Sequence, residues 1–203
     1  MRIFLAGASG VIGVRLLPLL VSNGHVVAGM TRSPWKVPSL RAHGAQPVVC
    51  DVYDAEALRA AVVRFRPDMV MHQLTDLPDD ATRIPEFASR NRRMLREGTR
   101  NLVAAGRATG TLAIVAQSIA WALPGERGLA YRDHEQAVLD ACGVVIRYGQ
   151  LYGPGTYYPT ERPASPRISV DEAARRTAVV LAAPPGIIEF VEQPIDRRVR
   201  CGC

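Results

Sequence analysis

Lysine is nearly missing from this 203-residue chain: of its 25 basic residues, Lys36 alone is a lysine and the other 24 are arginines. Any mechanism that needs an amine downstream of position 36 is excluded. No apolar run approaches the roughly 20 residues that cross a bilayer, so no membrane partner is expected. Met1-Arg2-Ile3-Phe4-Leu5 leads straight into a glycine-rich turn rather than a signal-peptide pattern, which gives a reduced, cytoplasmic setting as the expectation. Cysteine is scarce too. Cys50 and Cys142 lie in or beside apolar segments and read as small core residues, while Cys201 and Cys203 form a C-x-C tail. They make neither a secreted disulfide framework nor a zinc cluster, and His25, His43 and His134 show no metal spacing, so no metal is expected.

What is present is the composition of a folded protein, 48% hydrophobic and 22% charged, which argues against disorder. Short apolar runs alternate with longer helical periods up to about Val191. The runs Arg2–Ala6, His25–Met30, Pro47–Cys50, Asp68–Leu74, Leu112–Ser118, Val144–Tyr148 and Gly186–Val191 read as parallel strands buried on both faces. Helical periods cover Val11–Ser22, Asp54–Phe65, Arg83–Thr109, Tyr131–Ala141 and Val170–Ala182. Asp54 is a good N-cap, and Ser169-Val170-Asp171-Glu172 is a capping box. This alternation predicts an α/β fold, a Rossmann-like doubly wound parallel sheet with helices on both faces. Residues 1–192 are expected to form one dinucleotide-binding domain with a minimal C-terminal substrate-binding portion, and 193–203 a tail. Arg32–Ser39 reads as a loop, and the proline-rich 149–166 stretch as an irregular substrate-side loop.

The strongest motif is Ala6-Gly7-Ala8-Ser9-Gly10-Val11-Ile12-Gly13, which closes the first strand and opens the first helix. Gly7 permits the tight turn, Gly10 lets the backbone approach a pyrophosphate, and Gly13 allows close helix–strand packing. The helix N-terminus adds free N–H groups and a positive dipole end, so Ser9, Val11 and Ile12 join the candidate cofactor site. An NAD site usually carries a carboxylate at the tip of the second strand. Here that tip reads Met30-Thr31-Arg32-Ser33, so Arg32, helped by Thr31, Ser33 or Lys36, is read as the holder of a 2′-phosphate. NADP(H) is therefore the expected cofactor, with NAD as the alternative. Asp51 either reaches the adenine amino group or caps the turn before Asp54. Val52, Gln73 and Leu74 complete the expected cofactor contacts.

Together these residues resemble the short-chain dehydrogenase/reductase superfamily on its extended and atypical side, among NAD-dependent epimerase/dehydratase-like and NmrA-like proteins. The resemblance continues in Gly98-Thr99-Arg100-Asn101-Leu102, similar to that family's G-T-x-N-L. Arg147-Tyr148-Gly149-Gln150-Leu151-Tyr152-Gly153-Pro154-Gly155 is similar to its R-P-x-x-x-Y-G-P-G, and Ile168-Ser169-Val170-Asp171-Glu172-Ala173-Ala174 to its I-H-V-D-D-x-A. It implies a Rossmann fold, a nicotinamide cofactor and a substrate pocket over the carboxyl ends of the strands. It also implies a serine or threonine after strand five and a tyrosine followed, four residues on, by a lysine. The chain departs from that pattern. Gln117 or Ser118, depending on register, takes the serine slot, and Trp121 takes the place of a tyrosine. Tyr131 is followed at the lysine position by Glu135, a carboxylate that would raise the phenol's pKa. Only a short segment stands where extended members have a large C-terminal domain.

Ser118 and Tyr131 are thus the candidate catalytic residues, without a Tyr–Lys couple. Tyr131 and Glu135 otherwise read as a helix start and a solvated face. His72, where the family carries H-L-A-A, reads as a satisfied buried histidine near the cofactor. Trp121, Tyr152, Tyr157 and Tyr158 form either an aromatic wall or simple loop packing. Arg90, Arg92, Arg93, Arg96 and Arg100 spread around one helix with acids between them, a solvated or subunit-facing surface rather than a nucleic-acid site. Three functions stay open: an NADP(H)-dependent oxidoreductase for a small organic substrate, a non-catalytic cofactor sensor, and a non-redox epimerase, isomerase or cyclase. A homodimer is compatible with each.

Overall fold

Strand β1 (Arg2–Ala6) alternates its buried side chains between two cores, Ile3 and Leu5 to one face and Phe4 and Ala6 to the other. Such a strand must be covered on both sides. In the computed structural model, which describes residues 1–110 and 113–192, it lies inside a seven-stranded parallel sheet. The chain continues through α1 (Gly13–Ser22), β2 (Val26–Thr31), α2 (Val37–Ala42), β3 (Gln46–Val49), α3 (Ala55–Phe65) and β4 (Met69–His72). Then come α4 (Ile84–Arg93), α5 (Thr99–Arg107), β5 (Ala113–Ile119), α6 (Gly125–Leu139) and β6 (Val144–Tyr148). The last elements are β7 (Gln150–Tyr152), β8 (Arg167–Ser169), α7 (Val170–Val179) and β9 (Gly186–Phe190).

The sheet order is β3-β2-β1-β4-β5-β6-β9, with every pairing parallel. Strand order reverses between β1 and β4, and a crevice opens at the carboxyl ends of the strands at such a switch point. Helices α1 and α7 pack on one face with Leu40 of α2; α3 and α5 cover the other, and α6 packs beside α5. On α1, Leu16, Leu17 and Leu20 are buried, each contributing about 2 kcal/mol by removing its side chain from water.

Boundaries differ from the sequence reading in physically instructive places. The 32–39 loop contains a 3-10 turn, Pro34–Lys36, and the start of α2, whose prolines sit in first-turn positions where no N–H is needed. The period over Arg83–Thr109 is divided by a π turn at Met94–Gly98, where a Cβ on Gly98 would lie 2.8 Å from the Met94 sulfur. Helix α6 begins six residues before Tyr131, because Gly128 is a contact residue rather than a breaker: a Cβ there would lie 1.9 Å from the Leu123 carbonyl oxygen. Inside the irregular stretch lies β7, which pairs with β8 just beyond it as a small second sheet. Cys50 is buried as expected, but Cys142 is exposed; it sits in the turn after α6 with φ 55°, so it is not a core residue. Leu112 and the 193–203 tail, with Cys201 and Cys203, lie outside the described residues.

Candidate functional site

At the switch point a cleft of about 210 Å³ collects residues from five separate segments. Gly7, Ser9, Gly10, Val11 and Ile12 come from the β1–α1 turn, Thr31 and Arg32 from the tip of β2, and Asp51 and Val52 from beyond β3. Gln73 and Leu74 follow β4, and Gln117 comes from β5. The turn is glycine for steric reasons. Gly7 has φ 92°, and a Cβ there would stand 2.6 Å from the Gln73 carbonyl oxygen. Gly13 lies behind the cleft, where a Cβ would be 2.1 Å from the Gly7 carbonyl oxygen. Gly10 is open, with only the Gly7 oxygen near its Cβ position at 3.3 Å. The unpaired N–H groups of the first helical turn suit a pyrophosphate, so the cradle fits a dinucleotide.

The Ser9 and Thr31 hydroxyls are 2.9 Å apart and tie the turn to the β2 tip. Arg32 lines the cleft half-exposed and donates at 3.3 Å to Asp76, a buried carboxylate also held by Arg90 at 3.1 and 3.2 Å. Two guanidiniums on one carboxylate leave a net positive charge at this edge. Lys36 is exposed in its 3-10 turn and is not a cleft residue. Asp51 caps the turn before Asp54, with one oxygen accepting from the Tyr53 N–H at 2.9 Å, and it lines the cleft.

Behind the cleft, polarity is fixed by groups that have no choice. The Leu74 N–H donates to His72 Nδ1 at 3.2 Å, so His72 carries its proton on Nε2 and donates to Thr99 Oγ1 at 3.1 Å. The Thr99 hydroxyl then donates to His134 Nδ1 at 2.6 Å, and His134 Nε2–H donates to the Gln117 carbonyl at 2.8 Å. Both rings are therefore neutral. Burial lowers the pKa of His72, with the neighbouring His134 adding to the effect. Burial lowers that of His134 as well, against hydrogen bonds and the nearby Glu135 charge that raise it. Asn101 donates to the Val52 carbonyl at 2.9 Å, so the family-like G-T-x-N-L segment buttresses the cleft.

The two candidate catalytic residues are placed differently. Ser118 and Gln117 point to opposite faces of β5, and the cleft receives Gln117. Ser118 is buried and donates at 2.6 Å to Glu135, which also accepts from Arg147 at 2.9 and 2.7 Å. Glu135 is thus a buried ion-pair residue rather than part of a solvated face. Burial pushes its carboxyl up, but the bonds from Arg147 and Ser118 outweigh this and hold it below the ordinary range.

Tyr131 sits in the second turn of α6, half-buried. Its phenol is pushed up by burial rather than by Glu135, with Asn91 and Arg127 acting in the opposite direction. Asn91, whose Oδ1 accepts from the Asp76 N–H at 3.0 Å, is the polar neighbour that acts against burial at the phenol.

Tyr131 lines a second cavity of about 260 Å³ with Trp121, Arg132, Glu135 and Arg147. The four aromatic residues do not form one wall. Tyr157 donates to the Pro78 carbonyl at 2.6 Å, Tyr158 to Gln150, and Tyr152 to Glu192. Of the arginine-rich helix, Arg90, Arg93 and Arg96 are paired with Asp76, Glu97 and Asp133. Asp76, Asn91 and Arg147 were missed as site residues, since each acts through a partner at least 12 positions away. Among the described residues, no group of three or more His, Cys, Asp or Glu could hold a metal ion, and no helix is long and apolar enough to cross a membrane.

Residues 3–137 match the model of the NAD dependent epimerase/dehydratase family. A 3-diazoavenalumate denitrifying reductase from a Streptomyces species is 36% identical over 192 residues, 83% of this chain and 62% of that protein. A dTDP-4-dehydrorhamnose reductase from Streptomyces griseus is 30% identical over 174 residues, 76% of this chain and 51% of that protein. The chain therefore spans between about half and three fifths of these relatives. Among solved structures, the UDP-Glc/GlcNAc 4-epimerase of Campylobacter jejuni superposes with a TM-score of 0.79 at 14% identity, covering 94% of this chain and 78% of that one. The UDP-glucose 4-epimerase of Thermotoga maritima gives 0.76 at 16% identity, covering 94% and 77%. Glycine turn, sheet order and family match agree: the chain belongs to the NAD-dependent epimerase/dehydratase family, within the extended short-chain dehydrogenase/reductases.

Proposed function

We propose that this chain is an NADP(H)-dependent oxidoreductase that reduces a small, activated organic acceptor, with Tyr131 as the proton donor. The observation that carries the reading is the Tyr131 phenol, kept protonated by burial and lining an open cavity of about 260 Å³. When bound, the nicotinamide cofactor would supply the hydride. Gly7, Ser9, Gly10, Val11 and Ile12 would hold its pyrophosphate, with Gln73 and Leu74 alongside. Thr31, Asp51 and Val52 would take the adenosine half, and Arg32 the 2′-phosphate. The reductase names of the two relatives support the direction of reaction.

Alcohol oxidation needs a base, and a phenol with a raised pKa is a poor one. Reduction needs an acid, which Tyr131 is. Ser118 does not compete for the role, because its proton is committed to Glu135. The missing Tyr–Lys couple also suits a cofactor sensor, and the same experiment separates the two.

Purified protein is titrated with NADPH and NADH while nicotinamide fluorescence is followed, and quinones, flavins and enones are then supplied. Acceptor-dependent oxidation is expected, falling about 100-fold in Tyr131→Phe with cofactor affinity retained. Binding without oxidation assigns the sensor instead. Arg32→Glu is expected to weaken NADPH at least about tenfold more than NADH; equal losses would remove the 2′-phosphate assignment.

A further inference from the structure

The second cavity shares no lining residue with the dinucleotide cleft, yet the two are neighbours along one strand. Gln117 lines the cleft, and Ile119, two positions on and pointing to the same side, lines the cavity. Its walls divide by chemistry. Ile119, Leu123 and the indole of Trp121, 36% exposed, are apolar or aromatic. The Arg147 guanidinium is matched by Glu135, whose two oxygens already accept three hydrogen bonds, and reaches Glu189 at 3.7 Å, so it offers no free positive charge.

Arg132 is different. It is exposed at the cavity and has no carboxylate partner among the described residues. The acids nearest to it on α6 are engaged: Arg147 holds Glu135 at 2.7 and 2.9 Å, and Arg96 holds Asp133 at 2.6 Å and Glu126 at 3.5 Å. The cavity therefore presents one guanidinium without an ion-pair partner among the described residues, one exposed indole and the Tyr131 phenol.

We propose that this cavity is a binding site for a planar aromatic carboxylate. The Arg132 fork takes the carboxylate through charge-assisted hydrogen bonds, for which its planar donor geometry is suited. Trp121 stacks on the ring. The volume of about 260 Å³ accepts a bicyclic acid. The assignment rests on the proposed reductase function only in making this ligand its substrate class, with the group to be reduced turned toward Tyr131. Binding itself needs no cofactor.

The test uses 2-naphthoate as probe, in a Trp35→Phe background that leaves Trp121 as the single indole of the chain. Saturable quenching of Trp121 fluorescence is expected, and 2-naphthamide, which has the ring without the charge, should bind at least about tenfold more weakly. Arg132→Gln should lose a similar factor for the acid and little for the amide, and Arg132→Lys should regain part of it. Unchanged thermal unfolding of both variants confirms that an exposed side chain was altered without damage to the fold. No saturable quenching at millimolar probe, equal affinity for acid and amide, or an Arg132→Gln protein that binds naphthoate normally would each overturn the site. A parallel NADPH titration by nicotinamide fluorescence keeps the two readings apart. Naphthoate binding with no NADPH binding sinks the reductase and leaves the cavity, and the reverse sinks the cavity alone.

Discussion

Glu135 stands where the family carries its lysine, and everything around it requires a negative charge. Ser118 and Arg147 donate to it at 2.6 to 2.9 Å in a buried position. Restoring the family residue by Glu135→Lys would therefore set an ammonium against the Arg147 guanidinium. Removing one partner of a buried pair costs about 3–5 kcal/mol, and a like charge adds to that. Glu135→Gln also removes the charge but keeps the shape and an acceptor for Ser118 and for Arg147, which is a third exposed, so it should cost less, about 1–3 kcal/mol. Urea unfolding is expected to rank wild type above Gln and Gln above Lys, with no gain of activity in the lysine variant. A lysine variant as stable as wild type would show that the ion pair contributes nothing. The spacing of four between Tyr131 and Glu135 put both on one side of a helix from sequence alone. That an arginine 12 positions on would claim Glu135 was not legible, because pairing across α6 and β6 depends on packing and leaves no periodic trace.

At the scale of elements, the glycine turn separates steric from functional demand. Gly13→Ala would drive a methyl to 2.1 Å from the Gly7 carbonyl oxygen, so the β1–α1 junction must shift and the protein lose stability. Gly10→Ala meets only that oxygen, at 3.3 Å, on the open side facing the cleft. It is expected to unfold within about 1 kcal/mol of wild type while losing most NADPH affinity. Denaturation curves and nicotinamide fluorescence check both, and a Gly10→Ala protein that binds normally would show that the backbone does not approach the pyrophosphate. The strands, the turn and the caps were legible because each obeys a local rule: apolar runs, glycine spacing, and Asp54 and Ser169 accepting from N–H groups three residues on. The π turn, the early start of α6 and the β7–β8 pair were not. Their causes are contacts between distant segments, such as Gly128 against the Leu123 carbonyl, and a glycine there reads locally as a breaker.

Across the whole molecule, the His72–Thr99–His134 chain joins β4, α5, α6 and the β5 carbonyl of Gln117 in one line of hydrogen bonds. Its polarity is set by a backbone N–H at one end and a backbone carbonyl at the other, so neither ring can take a proton without breaking a bond. Burial keeps the folded pKa of both below the ordinary histidine value of 6.5. As pH falls below 6.5 the unfolded chain binds protons that the folded chain refuses. Stability is therefore full above that value and declines as pH drops toward the folded pKa values. The slope is about 1.4 kcal/mol per pH unit for each ring, or about twice that for the pair. Glu135, held below its ordinary range, acts in the same direction, but its contribution is lost only in more acid solution. Urea midpoints at about pH 7.5 and about pH 5.5 thus isolate the histidines. The midpoint should fall at the lower pH, and His72→Gln, which keeps hydrogen-bonding groups but cannot titrate there, should fall by less, with His134 and the lowered His25 common to both proteins. If wild type and variant respond identically, the rings are not the neutral pair that their hydrogen bonds define, and the chain beneath the cofactor cleft is only a packing contact.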